Sequence, residues 1–218
     1  MAATTGPTAA LAGVPTGLQA QGVWTGRRQL FVRFAAEAET ATMYTAQAIA
    51  QELKRAAGRS VFHSIAIGGR DPLSNLEFLQ AALSAGPLPL PVMLDVDGQR
   101  PDGVKALAKQ LALAQITLDG GLADAMLERA VESLGEAAAA GIEHAFVVAP
   151  SDAITDAQVL RVIERAHATS EKAIVVVHPP LSLPVDRDRR WVMLMEKACA
   201  VHRDTRRVLR RPPPTGTR

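Results

Sequence analysis

Five carboxylates and one imidazole fall where short apolar runs of this sequence end. Asp71 lies in Gly68-Gly69-Arg70-Asp71-Pro72-Leu73, and Asp95 and Asp97 in Asp95-Val96-Asp97-Gly98. Asp119 opens Asp119-Gly120-Gly121, Asp152 closes Pro150-Ser151-Asp152, and His178 opens His178-Pro179-Pro180. Carboxylates gathered on one face hold a divalent cation or hydrogen-bond a polar ligand, and an imidazole beside them can carry a proton. Asp95, Asp97, Asp119 and His178 are therefore the divalent-cation candidates, with His178 as acid or base. Plainer explanations stand beside this one. Asp after a strand often caps a helix or forms a turn, and glycine follows closely on Asp97 and Asp119. His63 lies inside an apolar run and reads as a packed core histidine. Cys199 lies in an Ala- and Met-rich helical pattern and reads as buried and inert.

The elements that must position these residues alternate. Strand patterns cover Gln29–Phe34, Val61–Ile67, Pro91–Val96, Ala114–Leu118, His144–Ala149 and Ala173–Val177. Each is apolar, too short for a helix, and bounded by Gly, Pro or Asp. Helical patterns cover Thr45–Ala57, Ser74–Ala85, Pro101–Leu111, Leu122–Ala140, Thr155–Ala168 and Arg187–Val201. Ser74-Asn75-Leu76-Glu77 reads as a capping box, and Thr155 as a cap before the acidic Asp156. Gly58, Gly86 and Gly141 follow helix ends, where a left-handed residue is wanted. Six strand–helix units with short links predict an α/β fold with a parallel sheet, either a partial (β/α)6 TIM-like barrel or a doubly wound sheet. A full eight-unit barrel typically takes about 250 residues, more than the 218 present. In both architectures ligands sit at the carboxyl ends of the strands, where the acidic residues lie.

Composition sets outer bounds. Hydrophobic residues make up 48%, so one core is well supplied, while aromatics at 4% leave it to Ala, Val, Leu and Ile. The single cysteine excludes an internal disulfide and any cluster held by three cysteines of this chain. Apolar stretches are short and interrupted by charge, which predicts no transmembrane helix and no membrane partner. The first basic residue is Arg27, so no secretory signal is expected and the predicted location is cytoplasmic. From Asp186 to Arg218 ten Lys or Arg stand against four Asp or Glu, and the rest of the chain is acidic. No aromatic residues interleave the terminal arginines, so nucleic acid is not an expected partner. The chain divides into a disordered lead over 1–22, one (β/α)6 domain over 23–202, and a basic Pro-rich tail over 203–218. No Walker loop, dinucleotide fingerprint, nucleophile elbow or HExxH motif is present.

Three stretches together resemble the radical S-adenosylmethionine superfamily, in particular its 7-carboxy-7-deazaguanine synthase and activating-enzyme branches. Gln21-Gly22-Val23-Trp24-Thr25-Gly26, running into Arg28–Phe34, is similar to the family's first strand with its Gly-rich lead. Gly68-Gly69-Arg70-Asp71-Pro72-Leu73 resembles the GGEPL motif, with one residue more. Ala114–Gly120, with the long helix that follows, resembles the fourth strand and helix. The resemblance implies the partial barrel rather than the doubly wound sheet. It also implies that Gly68, Gly69, Asp71 and Asp119 would contact S-adenosylmethionine or a nucleotide if either is bound.

The family's cluster-binding loop departs from its pattern. Its cysteine positions align with Ala36, Thr40 and Met43, none of which is a thiolate. Neither an iron–sulfur cluster nor reductive cleavage of S-adenosylmethionine is therefore expected. The resemblance implies a cluster-less pseudoenzyme without cofactor or assigned catalytic residue, acting as a binding or assembly module for a partner protein. The alternative is a small-molecule ligand on the acidic strand ends, for a sensor or a cluster-independent enzyme.

Overall fold

The computed structural model describes residues 6–120, 123–180 and 189–209. The chain begins with strands β1 (Thr8–Leu11), β2 (Thr16–Leu18), β3 (Arg28–Phe34) and β4 (Thr42–Thr45), then helix α1 (Ala46–Ala57). Strands and helices then alternate: β5 (Ser64–Gly69), α2 (Leu76–Ser84), β6 (Val92–Val96), α3 (Pro101–Leu107), β7 (Leu113–Gly120) and α4 (Asp124–Ala139). The last third holds β8 (Glu143–Pro150), α5 (Asp156–Thr169), β9 (Ile174–Val177), α6 (Arg189–Val201) and β10 (Thr205–Arg207).

The helix starts follow from short-range chemistry. Thr45 Oγ1 accepts the Ala48 N–H at 3.1 Å and begins α1. Thr155 and Gln158 cap each other reciprocally at the start of α5. The capping box expected at Ser74 does not form. Its hydroxyl bonds the Asp71 carbonyl instead, within a 3-10 turn over Pro72–Asn75 that precedes α2. Gly58 ends α1 in a right-handed conformation, not the left-handed one expected.

The sheet runs in the order β10-β9-β8-β7-β6-β5-β3-β1-β4, with β2 beside β3. Along β3, β5, β6, β7, β8, β9 and β10 all pairs are parallel, and these strands neighbour one another in chain order, with only β4 set aside between β3 and β5. Such crossovers, all of one hand, carry the helices to one face. Packing agrees: Leu30, Val32, Phe34, Ile65, Ile67, Leu94, Ile116, Phe146 and Val175 point to that face. They share one apolar cluster with Ile49, Phe78, Val104, Leu127, Leu134, Ile163 and Trp191 of the helices. The opposite face carries a small separate cluster without a helical residue: Ala66, Met93, Leu113 and Ala145. The fold is thus mixed α/β with a large, mostly parallel sheet. Among the described residues no helix packs on the second face, as a doubly wound sheet would require.

Two expected boundaries are corrected. Residues 8–18, read as part of a disordered lead, contribute β1 and β2. β1 pairs antiparallel with β4 in full register, from Thr8–Thr45 to Leu11–Thr42, and Ala9 and Leu11 are buried. Residues 205–207, read as the beginning of a tail, form β10 parallel to β9. The remainder of that tail, 210–218, lies outside the described residues. Cys199 is exposed rather than buried, with Sγ 3.7 Å from the Thr205 carbonyl. Among the described residues no helix is long and apolar enough to cross a membrane.

Candidate functional site

Alternation along the parallel strands sends every second side chain to the helix-free face. In the upper, carboxyl-end half that row is polar: Asp95 of β6, Gln115 and Thr117 of β7, and His178 just after β9. Below it lie Ala66, Met93, Leu113 and Ala145. The face is covered by Gln19–Arg27, the link between β2 and β3. Its ends are tied by Gln19 N–H to the Arg27 carbonyl (2.9 Å) and Gly26 N–H to the Gln19 carbonyl (2.8 Å). The link lies face down. Val23 and Trp24 pack on the apolar patch, and Trp24 meets His63 edge to face at 4.7 Å. His63 is only partly buried, and its pKa is lowered by that burial and then by Arg27.

The polar row receives donors from this segment. Gly22 N–H reaches His178 Nε2 at 2.7 Å, and Val23 N–H reaches Gln115 Oε1 at 3.0 Å. The Gln21 and Gln19 side-chain amides point at Asp95 Oδ2, at 3.2 and 3.4 Å, while Thr117 donates to Oδ1 at 2.8 Å. Glycine suits this position, because φ is +78° and a Cβ on it would stand 1.8 Å from Gln115 Oε1 and displace that amide. Burial pushes the Asp95 carboxyl above its ordinary value, against the pull of hydrogen bonds from Thr117, Gln115, Gln21 and Gln19. Of these, the contact from Gln115 Nε2, whose residue is the register neighbour of Asp95, is the poorly aligned one. Gln29 Oε1, at the amino end of the same face, is also buried and unpaired.

Beside the segment a cleft of about 230 Å³ stays open at the ends of β5, β6 and β7. Its walls include Gln21, Gly69, Asp71, Asp95, Asp97, Arg100, Thr117 and Asp119. Four of the carboxylates singled out from sequence therefore meet, together with Gly69. Their states differ. Asp71 takes both Arg100 Nε (2.7 Å) and Nη2 (2.6 Å), and that pairing lowers its pKa. Asp97 accepts the Gln99 N–H at 3.0 Å, a turn contact. Asp119 is exposed at the rim. Gly69 has φ +100°, and a Cβ there would lie 2.4 Å from the Phe34 carbonyl oxygen, so close strand packing accounts for this glycine. Gly68 is beside the Asp95 main chain and does not line the cleft. Asp152 is exposed in the turn after β8, outside the cleft.

The divalent-cation grouping is corrected. His178 lies beyond β8 from Asp119, and both of its ring nitrogens are engaged, Nδ1 with the Val208 carbonyl at 2.6 Å. Among the described residues no three His, Cys, Asp or Glu side chains stand close enough to share an ion. Ala36 and Thr40 lie in the loop after β3, and Met43 is in β4, 64% exposed.

Sequence reasoning missed Arg100, Thr117, Gln115 and Gln19 as site residues, and it singled out Gln21–Gly26 only as a strand lead, not as a cover for this face. The one available signal was Gly22-Val23-Trp24-Thr25-Gly26, two glycines around a tryptophan in a chain poor in aromatics. No protein-family model matches the chain, and no curated protein matches it either.

Proposed function

We propose that the chain is a cluster-less relative of the radical S-adenosylmethionine proteins. In this reading the sheet is a partial barrel, the helix-free face is its interior, and the domain is a non-catalytic binding module for a partner protein. One observation carries the reading: the chain's own Gln19–Arg27 occupies the interior face, locked by Gly22 on His178 and Val23 on Gln115. The absence of thiolates at Ala36, Thr40 and Met43 supports it, since the family's chemistry begins from a thiolate-held cluster.

The remaining cleft favours a second reading, a small polar ligand held between Asp119, Thr117 and the Asp71–Arg100 pair. Its 230 Å³ falls below the roughly 300 Å³ at which pockets for drug-sized ligands begin, which counts against S-adenosylmethionine beside the seated segment. Calorimetric titration with S-adenosylmethionine, with and without anaerobic iron–sulfur reconstitution, separates the readings. The binding-module reading expects no saturable heat and no retained cluster. Saturable binding without a cluster would move the function to a sensor or a cluster-independent enzyme.

A further inference from the structure

We propose that the helix-free face is a peptide-docking surface and that Gln19–Arg27 is its occupant in cis. A partner protein would dock there by presenting a glycine-bearing loop of the same chemistry. This rests on the binding-module reading and names what the module binds.

Recognition here is directed at backbone. His178 Nε2 and Gln115 Oε1 both take main-chain N–H groups, from Gly22 and Val23. Acceptors arranged for consecutive amides suit an extended or looped peptide, and the apolar floor beneath takes the side chains next in line. The glycine is a selectivity element, because its φ of +78° strains any other residue and a Cβ there would displace the Gln115 amide that holds the next N–H. The cis segment fits incompletely. Gln29 Oε1, fully buried on this face, has no hydrogen-bond partner, and the equally buried Gln115 Nε2 has only a poorly aligned approach to Asp95. Buried amides are nearly always paired, so a better occupant would reach atoms this one leaves out.

The test uses the full chain and a fluorescent peptide of residues 18–28, its ends blocked. Gly22→Val drives the cis segment off Gln115, and Val23→Ala/Trp24→Ala loosens it without adding a clash. Both variants should keep native far-ultraviolet circular dichroism and be cut by trypsin after Arg27 at least tenfold faster than wild type. Both should bind the peptide. A tethered segment competes at an effective concentration of about 1 mM, so a peptide of micromolar affinity should bind wild type about a thousandfold more weakly. The same peptide carrying Gly22→Val should not bind. Release of the segment without peptide binding overturns the proposal, as does unchanged cleavage. Loss of fold in both variants overturns it too, since a displaceable segment must leave a folded sheet behind. S-adenosylmethionine binding to wild type would remove the non-catalytic reading and leave a positive peptide result standing. Failed docking without S-adenosylmethionine binding would leave a binding module whose partner sits elsewhere.

Discussion

Gly22 donates its main-chain N–H to Nε2 of His178 at 2.7 Å, joining residues 156 apart in sequence. Because Nε2 accepts, the ring is neutral with its proton on Nδ1, which donates to the Val208 carbonyl at 2.6 Å. His178→Phe keeps an aromatic ring but leaves a buried N–H and a carbonyl without their partner. We expect a loss of about 1–3 kcal/mol in urea unfolding. Wild-type stability in this variant would show that the bond holds nothing in place.

Asp95 gives the protein a pH dependence of unusual sign. Its pKa is raised in the folded state, above the ordinary 3.8 it keeps when unfolded. Between those two values the folded protein binds more protons than the unfolded chain, so stability falls as pH rises through the window. Asp95→Asn removes the charge and keeps one acceptor for Thr117. Thermal unfolding from pH 4 to pH 8 should show the variant gaining on wild type as pH increases, with the gap closing toward pH 4. A constant gap would mean that the carboxyl titrates alike in both states.

Gly69 touches the Phe34 main chain, and no side-chain rearrangement can make room there. Gly69→Ala places a methyl 2.4 Å from that carbonyl oxygen at a positive φ. Left-handed strain and overpacking together should cost roughly 2–5 kcal/mol. Equilibrium denaturation measures this directly, and a loss below 1 kcal/mol would mean that the two strands separate easily.

Cys199 is exposed, so the native protein should titrate one thiol with Ellman's reagent without denaturant. A thiol that reacts only after unfolding would place this face of α6 against other protein in solution.

All six central strands and six helices were legible in the sequence, because each carries its own signal. A β-branched run such as Ile174–Val177 or a cap such as Thr155 needs no distant partner to be recognised. β1, β2, β4 and β10 were not legible. They have three or four residues each, rich in Thr, Ala, Gly and Arg, and are strands only because an edge lies beside them. Asp71, Asp95, Asp97 and Asp119 were found at the site because strand ends converge by topology. Gln19, Gln21 and Gln115 were missed because an amide has no signature until its partner is placed. His178 was found as a residue but assigned the wrong company, since its two partners lie at opposite ends of the chain.

Those two partners also set an order of assembly. The His178 ring is aimed by the carbonyl of Val208, held by β10, while its other nitrogen receives Gly22. A ribosome delivers Gly22 first, His178 much later and Val208 later still. During synthesis the loop after β2 therefore meets an unfinished surface, and the Val208 carbonyl joins the imidazole only once β10 emerges. A chain truncated before Thr205 would keep the described helices and the contact of Val23 to Gln115, yet lose the carbonyl that aims His178 at Gly22.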